Sequence, residues 1–217
     1  FICIFGQVYH SNTDYMKFYE EIGKYQVILG SQSPRRQYLL KELGIKFDVK
    51  LKQMVQENYP EDLTREEIPL YLAGKKADAF DDEVTENMIV ITADTVVWKD
   101  NKVLQKPRDQ KEAFDILRSI SGTVHQVYTG VCIRSMKQRK TFYSRTDVYF
   151  KKLTDKEIWY YIDKYEPYDK AGSYGIQEWL GYIGVEKIEG SFFNVMGLPV
   201  QELYVELSEF LAKPVKS

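Results

Sequence analysis

The chain has 217 residues, of which 44% are hydrophobic and 29% charged, and its formal net charge is −2. This composition is typical of a globular protein with a large core, and the lack of a basic excess argues against a nucleic-acid-binding protein. Two cysteines and two histidines, each pair far apart, are too few for a disulfide framework or a Cys/His zinc site. The apolar start is too short for a membrane span and lacks the basic region of a signal peptide. We therefore expect a cytoplasmic protein without a membrane partner.

The first elements are predicted after residue 24. Residues 1–24 fit no element, so we treat them as an N-terminal extension of unknown role and residues 25–217 as a single domain. Val27–Leu29 is apolar and predicts a buried strand, and a second short strand is predicted at Phe47–Leu51.

The helix between these strands carries two arginines in its first turn. Ser33 is a typical N-cap, Pro34 a typical first helical residue, and Gly44 a typical residue after a helix end. Arg35 and Arg36 lie where the helix dipole is unfavourable for cations. This placement is explained by an anion bound at the helix N-terminus, where free N–H groups already favour phosphate. The alternative is two solvated surface arginines.

A polar, acidic loop and a helix come next. Glu57 lies in this loop, where its acidic neighbours favour a merely solvated side chain. The following helix is predicted at Ile68–Phe80, and its Lys76 shares a face with Leu72 and Ala79. A solvent-facing lysine is unusual there, so Lys76 is either functional or extends its ammonium group from an apolar surface.

The third predicted strand, residues 88–92, is apolar on both faces, as central α/β strands are. Asp94 follows at its expected carboxyl edge, where α/β sheets bind ligands, and a carboxylate there can hold Mg²⁺ or accept a proton. The alternative is a local turn with Thr95. After a hairpin at 96–104, Lys106 stands at the entrance of the next helix.

The second half of the chain is predicted to complete a mixed sheet. Its elements are a helix at Asp109–Ile120, paired strands at Gln126–Arg134 and Thr141–Phe150, a helix that begins with a Thr154/Glu157 capping box, a strand at Tyr182–Ile188 and a last helix that begins at Pro199. A glycine-bearing loop before Tyr182 carries Lys170 and Gln177, and the Gln177 amide can recognise a base edge. The mixed order of strands and helices predicts an α/β fold with a twisted mixed sheet.

Six short motifs carry a resemblance to a known family. They are "LGSQSPRRQYLLKELG", "LAGKKADA", "ITADTVV", "KPRD", "DKAGSYGIQ" and "GSFFNVMGLP". In this order they resemble the Maf (septum formation) family of nucleoside triphosphate pyrophosphatases, from about Val27 to Leu211. The form of the fifth motif resembles the branch that acts on dTTP and UTP.

The resemblance implies a fold like that of inosine triphosphate pyrophosphatases, with two lobes around a cleft. It also implies hydrolysis between the α- and β-phosphates, to the monophosphate and pyrophosphate, with Mg²⁺ or Mn²⁺ as cofactor. In the resemblance Asp94 is the proton acceptor, and Arg35, Thr95 and Gln177 select the substrate. The charges of the chain fit this carry-over, because Arg36 and the catalytic candidates Lys76 and Lys106 suit the pyrophosphate leaving group and Glu57 and Asp94 suit the metal. Ser33 and Lys170 complete the candidate substrate-binding residues.

Two departures from the family pattern leave alternatives open. Gln105 stands before "KPRD", where many relatives carry an acid or glycine, and Glu57 lies in "QEN" rather than a form closer to "DES". An acid missing at Gln105 could weaken metal binding, so the alternative function is a nucleotide-binding regulator of cell division with little catalysis. The partner is expected to be a nucleoside triphosphate, and a homodimer is possible because dimers are common among relatives.

Overall fold

A mixed β-sheet forms the centre of the fold in the computed structural model, which describes residues 16–52 and 57–212. The strands are β1 (Gln26–Leu29), β2 (Asp48–Val49), β3 (Met88–Lys99), β4 (Lys102–Leu104), β5 (Val124–Arg134), β6 (Arg139–Phe150) and β7 (Val185–Glu189). Over the described residues these seven strands are ordered β2-β1-β3-β5-β6-β7, with β4 also paired to β3. β1 runs parallel to β2 and β3, and the other pairs are antiparallel. The predicted mixed α/β class is confirmed.

Helices cover both faces of the sheet. They are α1 (residues 16–22), α2 (Pro34–Glu42), α3 (Glu67–Asp78), α4 (Gln110–Ile120), α5 (Asp155–Tyr165), α6 (Trp179–Gly184), α7 (Phe192–Met196) and α8 (Val200–Ala212). Ser33 caps α2 and Thr154 with Glu157 forms the capping box of α5, both as predicted. None of the described helices is long and apolar enough to cross a bilayer.

Alternation along β3 decides which side chains meet which helix. Ile89, Ile91 and Ala93 belong to the main core cluster, which includes residues of α2, α4, α5 and α8. Val96 and Trp98 point to the other face and pack against Ile68 and Leu72 of α3. Because side chains alternate between the faces of a strand, the even-numbered Asp94 faces α3.

Gly130 allows α3 to lie close to the sheet. A Cβ atom at this position of β5 would fall on the backbone of Pro69 and Leu70 in α3. Gly130 is also the residue that pairs with Asp94 across the β3–β5 ladder. The close approach therefore brings α3 onto the same part of the sheet that carries Asp94.

The strand that carries Asp94 is longer than predicted. β3 continues unbroken to Lys99, so the prediction that Asp94 follows the end of a strand is wrong. β5 pairs with β3 from Val90 to Trp98, and this ladder keeps the residues around Asp94 extended. The predicted hairpin at 96–104 is confirmed: the end of β3 forms its first arm and β4 its second.

Another segment also differs from the prediction. Residues 182–184, predicted as strand, belong to α6, and β7 begins only at Val185. α6 packs tightly onto the preceding loop, because a Cβ atom at Gly181 would fall on the backbone of Ile176.

A helix also lies in the stretch where no element was predicted. Phe18 and Ile22 of α1 are buried in the main core cluster, where the Phe18 ring lies 4.6 Å from the ring of Tyr204 in α8. The division of the chain at residue 24 stays a prediction, and residues 1–15 lie outside the described residues.

His125 is fully buried in β5. Its Nε2 atom lies 2.8 Å from the Tyr174 hydroxyl, and its Nδ1 atom has no hydrogen-bond partner among the described residues. Burial, with a smaller contribution from the Lys99 charge, lowers the pKa of His125 to about 3. The folded protein therefore holds a neutral imidazole at physiological pH.

This burial predicts a pH dependence of stability. Below about pH 6.5 the unfolded chain protonates this histidine while the folded protein does not, so the free energy of unfolding falls as the pH drops towards 3. Between pH 7 and pH 5 the expected contribution is about 2 kcal/mol. Urea unfolding of wild type and His125→Gln at these pH values measures this contribution. Because the other histidine, His10, is present in both proteins, the difference between their pH slopes reports on His125. The same pH slope in both proteins would contradict the prediction.

Candidate active site

A cleft opens beside the middle of β3. β5 occupies one edge of β3 along most of its length, so β1 and β4 must share the other edge. β1 pairs there with Met88–Ile91 and β4 with Val97–Lys99, so no described strand pairs with residues 92–96 on this edge, which leaves a gap between β1 and β4. Asp94 and Thr95 lie at this gap, and the chain leaving β1 enters α2 next to it.

The cleft has two connected chambers. The inner chamber is lined by Ser33, Arg36, Glu57, Lys76, Asp94, Thr95, Val97, Lys106, Val127, Ala171, Tyr174, Val195, Met196 and Gly197. The outer chamber is lined by Gly30, Ser31, Gln32, Ser33, Pro34, Arg36, Leu51, Lys52, Glu57, Lys76, Phe80, Lys106 and Asp169. Five side chains line both chambers, namely Ser33, Arg36, Glu57, Lys76 and Lys106.

Two carboxylates and two lysines alternate at the junction of the chambers. Lys76, in the last turn of α3, forms ion pairs with Asp94 and with Glu57, the latter at 3.0 Å between Nζ and Oε1. Lys106 approaches the other oxygen of Glu57, at 3.2 Å. Burial alone raises the pKa of Glu57, but the charges and hydrogen bonds of Lys76 and Lys106 outweigh it and lower the pKa to about 2. Glu57 is therefore ionised at neutral pH.

Arg36 connects three parts of the fold around the cleft. Its Nε atom donates to the Gly197 carbonyl at 2.7 Å, and its two terminal nitrogens donate to Ser31 Oγ at 3.3 Å and Thr95 Oγ1 at 3.0 Å. Thr95 Oγ1 in turn lies 2.9 Å from Thr129 Oγ1. Burial lowers the pKa of Arg36, and the nearby Asp94 carboxylate opposes this shift.

Three predicted site residues line neither chamber. Arg35 and Lys170 both hold Asp169, at 3.1 Å and 2.7 Å, and Asp169 lines the outer chamber. Burial raises the pKa of Asp169, but hydrogen bonds from Lys170 and Arg35 outweigh it and bring the pKa below its usual value. Gln177 lies in the loop before α6, and its Oε1 atom is buried without a hydrogen-bond partner among the described residues.

The carboxylates suit a divalent cation. Within the described part of the chain, no three His, Cys, Asp or Glu side chains form a metal cluster. Asp94 and Glu57 nevertheless both contact one cationic position, that of the Lys76 ammonium. Mg²⁺ commonly takes one or two protein carboxylates and completes its shell with water and substrate phosphates. This donor pair therefore fits a metal ion that is coordinated partly by the protein and partly by a nucleotide. Gln105 lines an adjoining hollow together with both carboxylates.

Sequence reasoning missed several residues of the cleft. Tyr174, Met196 and Gly197 line the inner chamber and lie within two of the six motifs, but no chemistry singled them out. Asp169 was also missed, although it begins the "DK" pair of the fifth motif. A motif identifies the segment, whereas only the fold shows which of its side chains face the cleft.

Comparison with known proteins decides the family. The family model described as "Maf-like protein" matches residues 26–210. The chain is a member of the Maf family. The resemblance predicted from the six motifs is thus confirmed.

Curated relatives in the Maf family match nearly their whole length. A dTTP/UTP pyrophosphatase of Bacteroides thetaiotaomicron is 51% identical over 188 residues, which are 87% of this chain and 97% of the relative. A dTTP/UTP pyrophosphatase of Phocaeicola vulgatus is 52% identical over 190 residues, covering 88% and 98% of the two chains. Among solved structures, a HAM1 protein from Coxiella burnetii matches with a TM-score of 0.40 and 10% identity, over 58% of this chain and 73% of that one.

The contacts of Arg36 predict that lysine is a poor substitute. Arg36→Lys keeps the charge but loses the planar fork that reaches three acceptors, so we expect a loss of about 2 kcal/mol in the free energy of unfolding. Arg35→Lys is the matched control, because Arg35 makes a single ion pair with the exposed Asp169, and there we expect less than about 1 kcal/mol. Urea unfolding compares the two variants, and equal losses would contradict the prediction.

Proposed function

We propose that this protein hydrolyses dTTP and UTP to the nucleoside monophosphate and pyrophosphate. The observation that carries this function is the junction of the two chambers, where Asp94, Glu57, Lys76 and Lys106 meet in one cleft. The names of relatives that are about half identical over nearly their full length support the same reaction and substrates. They favour it over a nucleotide-binding regulator without catalysis.

The residues that line only one chamber support one orientation of the substrate. Arg36, Lys76 and Lys106 line both chambers, whereas Val97, Val127, Met196 and the ring of Tyr174 line the inner one alone and suit a nucleobase. Lys52 and most of the loop that enters α2 line the outer chamber alone, which suits the end of a polyphosphate. In this orientation the α-phosphate lies at the junction, beside Asp94.

The proposed chemistry is an attack of water on the α-phosphorus. Asp94 orients the water and accepts its proton, a new bond forms from the water oxygen to phosphorus, and the bond to the bridging oxygen breaks. Pyrophosphate leaves with the charge that develops on that oxygen. Lys76, Lys106 and Arg36 stabilise this charge from fixed positions, which costs little reorganisation during the reaction.

Glu57 and Asp94 are the proposed holders of the divalent cation, together with phosphate oxygens. When bound, Mg²⁺ or Mn²⁺ supplies positive charge to the phosphates. Lys76 must then share the two carboxylates with the ion, and phosphate oxygens offer its ammonium group new acceptors.

Base recognition is proposed for Gln177 and Thr95. The Oε1 atom of Gln177 is buried without a hydrogen-bond partner among the described residues, which supports a role in accepting a hydrogen bond, such as one from the N3–H group of uracil or thymine. Because Gln177 lines neither chamber, this contact requires the loop before α6 to turn the side chain towards the base. Ser33, which lines both chambers, is proposed to bind the substrate, and Arg35 and Lys170 are proposed to support it through Asp169. A cytoplasmic location and a homodimer stay predictions.

A nucleotide panel tests the proposed function. With Mg²⁺ or Mn²⁺, the protein should release pyrophosphate and the monophosphate from dTTP and UTP faster than from ATP or GTP, because the inner chamber is proposed to hold a pyrimidine. Product analysis by chromatography distinguishes this cleavage from release of orthophosphate. A folded sample that releases pyrophosphate from none of these nucleotides would refute the proposal.

The role of Asp94 is tested by Asp94→Asn. Loss of the proton acceptor should reduce kcat by roughly 10²–10⁴-fold, while the thermal unfolding midpoint shows whether the variant is folded. Asp100→Asn, an exposed carboxylate at the end of the same β-hairpin, is the control and should keep wild-type kcat. If folded Asp94→Asn retains nearly full activity, another group is the base.

A further inference from the structure

Lys52 lines the outer chamber of the cleft and has no role in the chemistry proposed above. It follows β2 and lines the outer chamber together with Leu51 and Phe80, whereas Asp94 lines the inner chamber. Lys52 therefore reaches the proposed polyphosphate site from the side away from the reacting phosphorus.

Two contacts hold the Lys52 side chain in place. Its ammonium group forms an ion pair with Glu83, and it lies 5.4 Å from the centre of the Phe80 ring. The side chain is 21% exposed, compared with 47% for Lys50, which pairs with the other oxygen of Glu83. An ammonium group has three donors, so Lys52 can keep Glu83 and donate to a ligand at the same time.

The charges around the outer chamber favour an anion near Lys52. The chamber is lined by four cations, Arg36, Lys52, Lys76 and Lys106, and by two carboxylates, Glu57 and Asp169. Each nearby carboxylate is shared by two cations: Glu57 by Lys76 and Lys106, Asp169 by Arg35 and Lys170, and Glu83 by Lys50 and Lys52, so cations remain in excess around the chamber. The N-terminus of α2 adds its positive dipole end to the same wall.

We propose that Lys52 binds the terminal phosphate of the nucleoside triphosphate and, after cleavage, the pyrophosphate product. This inference rests on the proposed function and adds a residue that contributes to specificity for the number of phosphates. A ligand that ends at the α-phosphate does not reach the outer end of the chamber, so Lys52 should select for triphosphates and pyrophosphate over the monophosphate.

The test compares Lys52→Met with Lys50→Met. Methionine keeps an unbranched side chain over Phe80, and in each variant the remaining lysine still neutralises Glu83. Titration calorimetry with inorganic pyrophosphate in Mg²⁺ buffer should show about tenfold weaker binding for Lys52→Met, the effect of losing one charge-assisted contact. Lys50→Met should change the Kd for pyrophosphate less than twofold, and neither variant should change the Kd for dTMP.

Two results would overturn the inference. One is wild-type affinity of Lys52→Met for pyrophosphate, and the other is equal weakening by both variants, which would indicate a general effect of net charge. Thermal unfolding midpoints establish that both variants are folded.

Hydrolysis of dTTP by the same preparations reports separately on the proposed function. There Lys52→Met should raise KM by about tenfold and leave kcat nearly unchanged, because this contact is equally present before and during the reaction. Wild-type protein that binds pyrophosphate through Lys52 but hydrolyses no nucleotide would refute the function alone. Active protein without a Lys52 effect would refute the inference alone.

Discussion

The ion pair between Asp94 and Lys76 is the interaction on which the site depends. Asp94 lies on a buried stretch of β3, and a carboxylate removed from water needs a cation close by. Lys76 meets this need because α3 packs on the face of the sheet that Asp94 faces, at a distance that Gly130 permits. Without this close approach of α3, the buried Asp94 carboxylate would lack its cation and would destabilise the folded state.

Lys76 also pairs with a second carboxylate of the cleft. By pairing with Glu57 as well as Asp94, it brings a loop residue to the acid of the sheet. The result is a set of opposite charges that is balanced without ligand and can be redistributed when phosphate and metal arrive. A site of this kind is preorganised, because its ions are held by strand, helix and loop before the substrate binds.

Arg36 holds another part of the cleft wall together. Arg36 bonds to Ser31, Thr95 and Gly197, so α2, β3 and the end of α7 are joined by one guanidinium group. Its planar fork suits several acceptors at fixed angles. The unfavourable position of an arginine at a helix N-terminus, which pointed to an anion, is thus also explained by contacts within the protein.

Local sequence determined the helix caps, the apolar strands and the segments that border the cleft, because these depend on neighbours within a few residues. Ser33, the Thr154/Glu157 box and the six motifs were found in this way. The tertiary structure alone decided that β3 runs through Asp94, since this follows from a ladder with β5, about 40 residues away. It alone also decided which charged side chains meet, because Glu57, Lys76, Asp94 and Lys106 are brought together by packing between elements and not by their spacing in the chain.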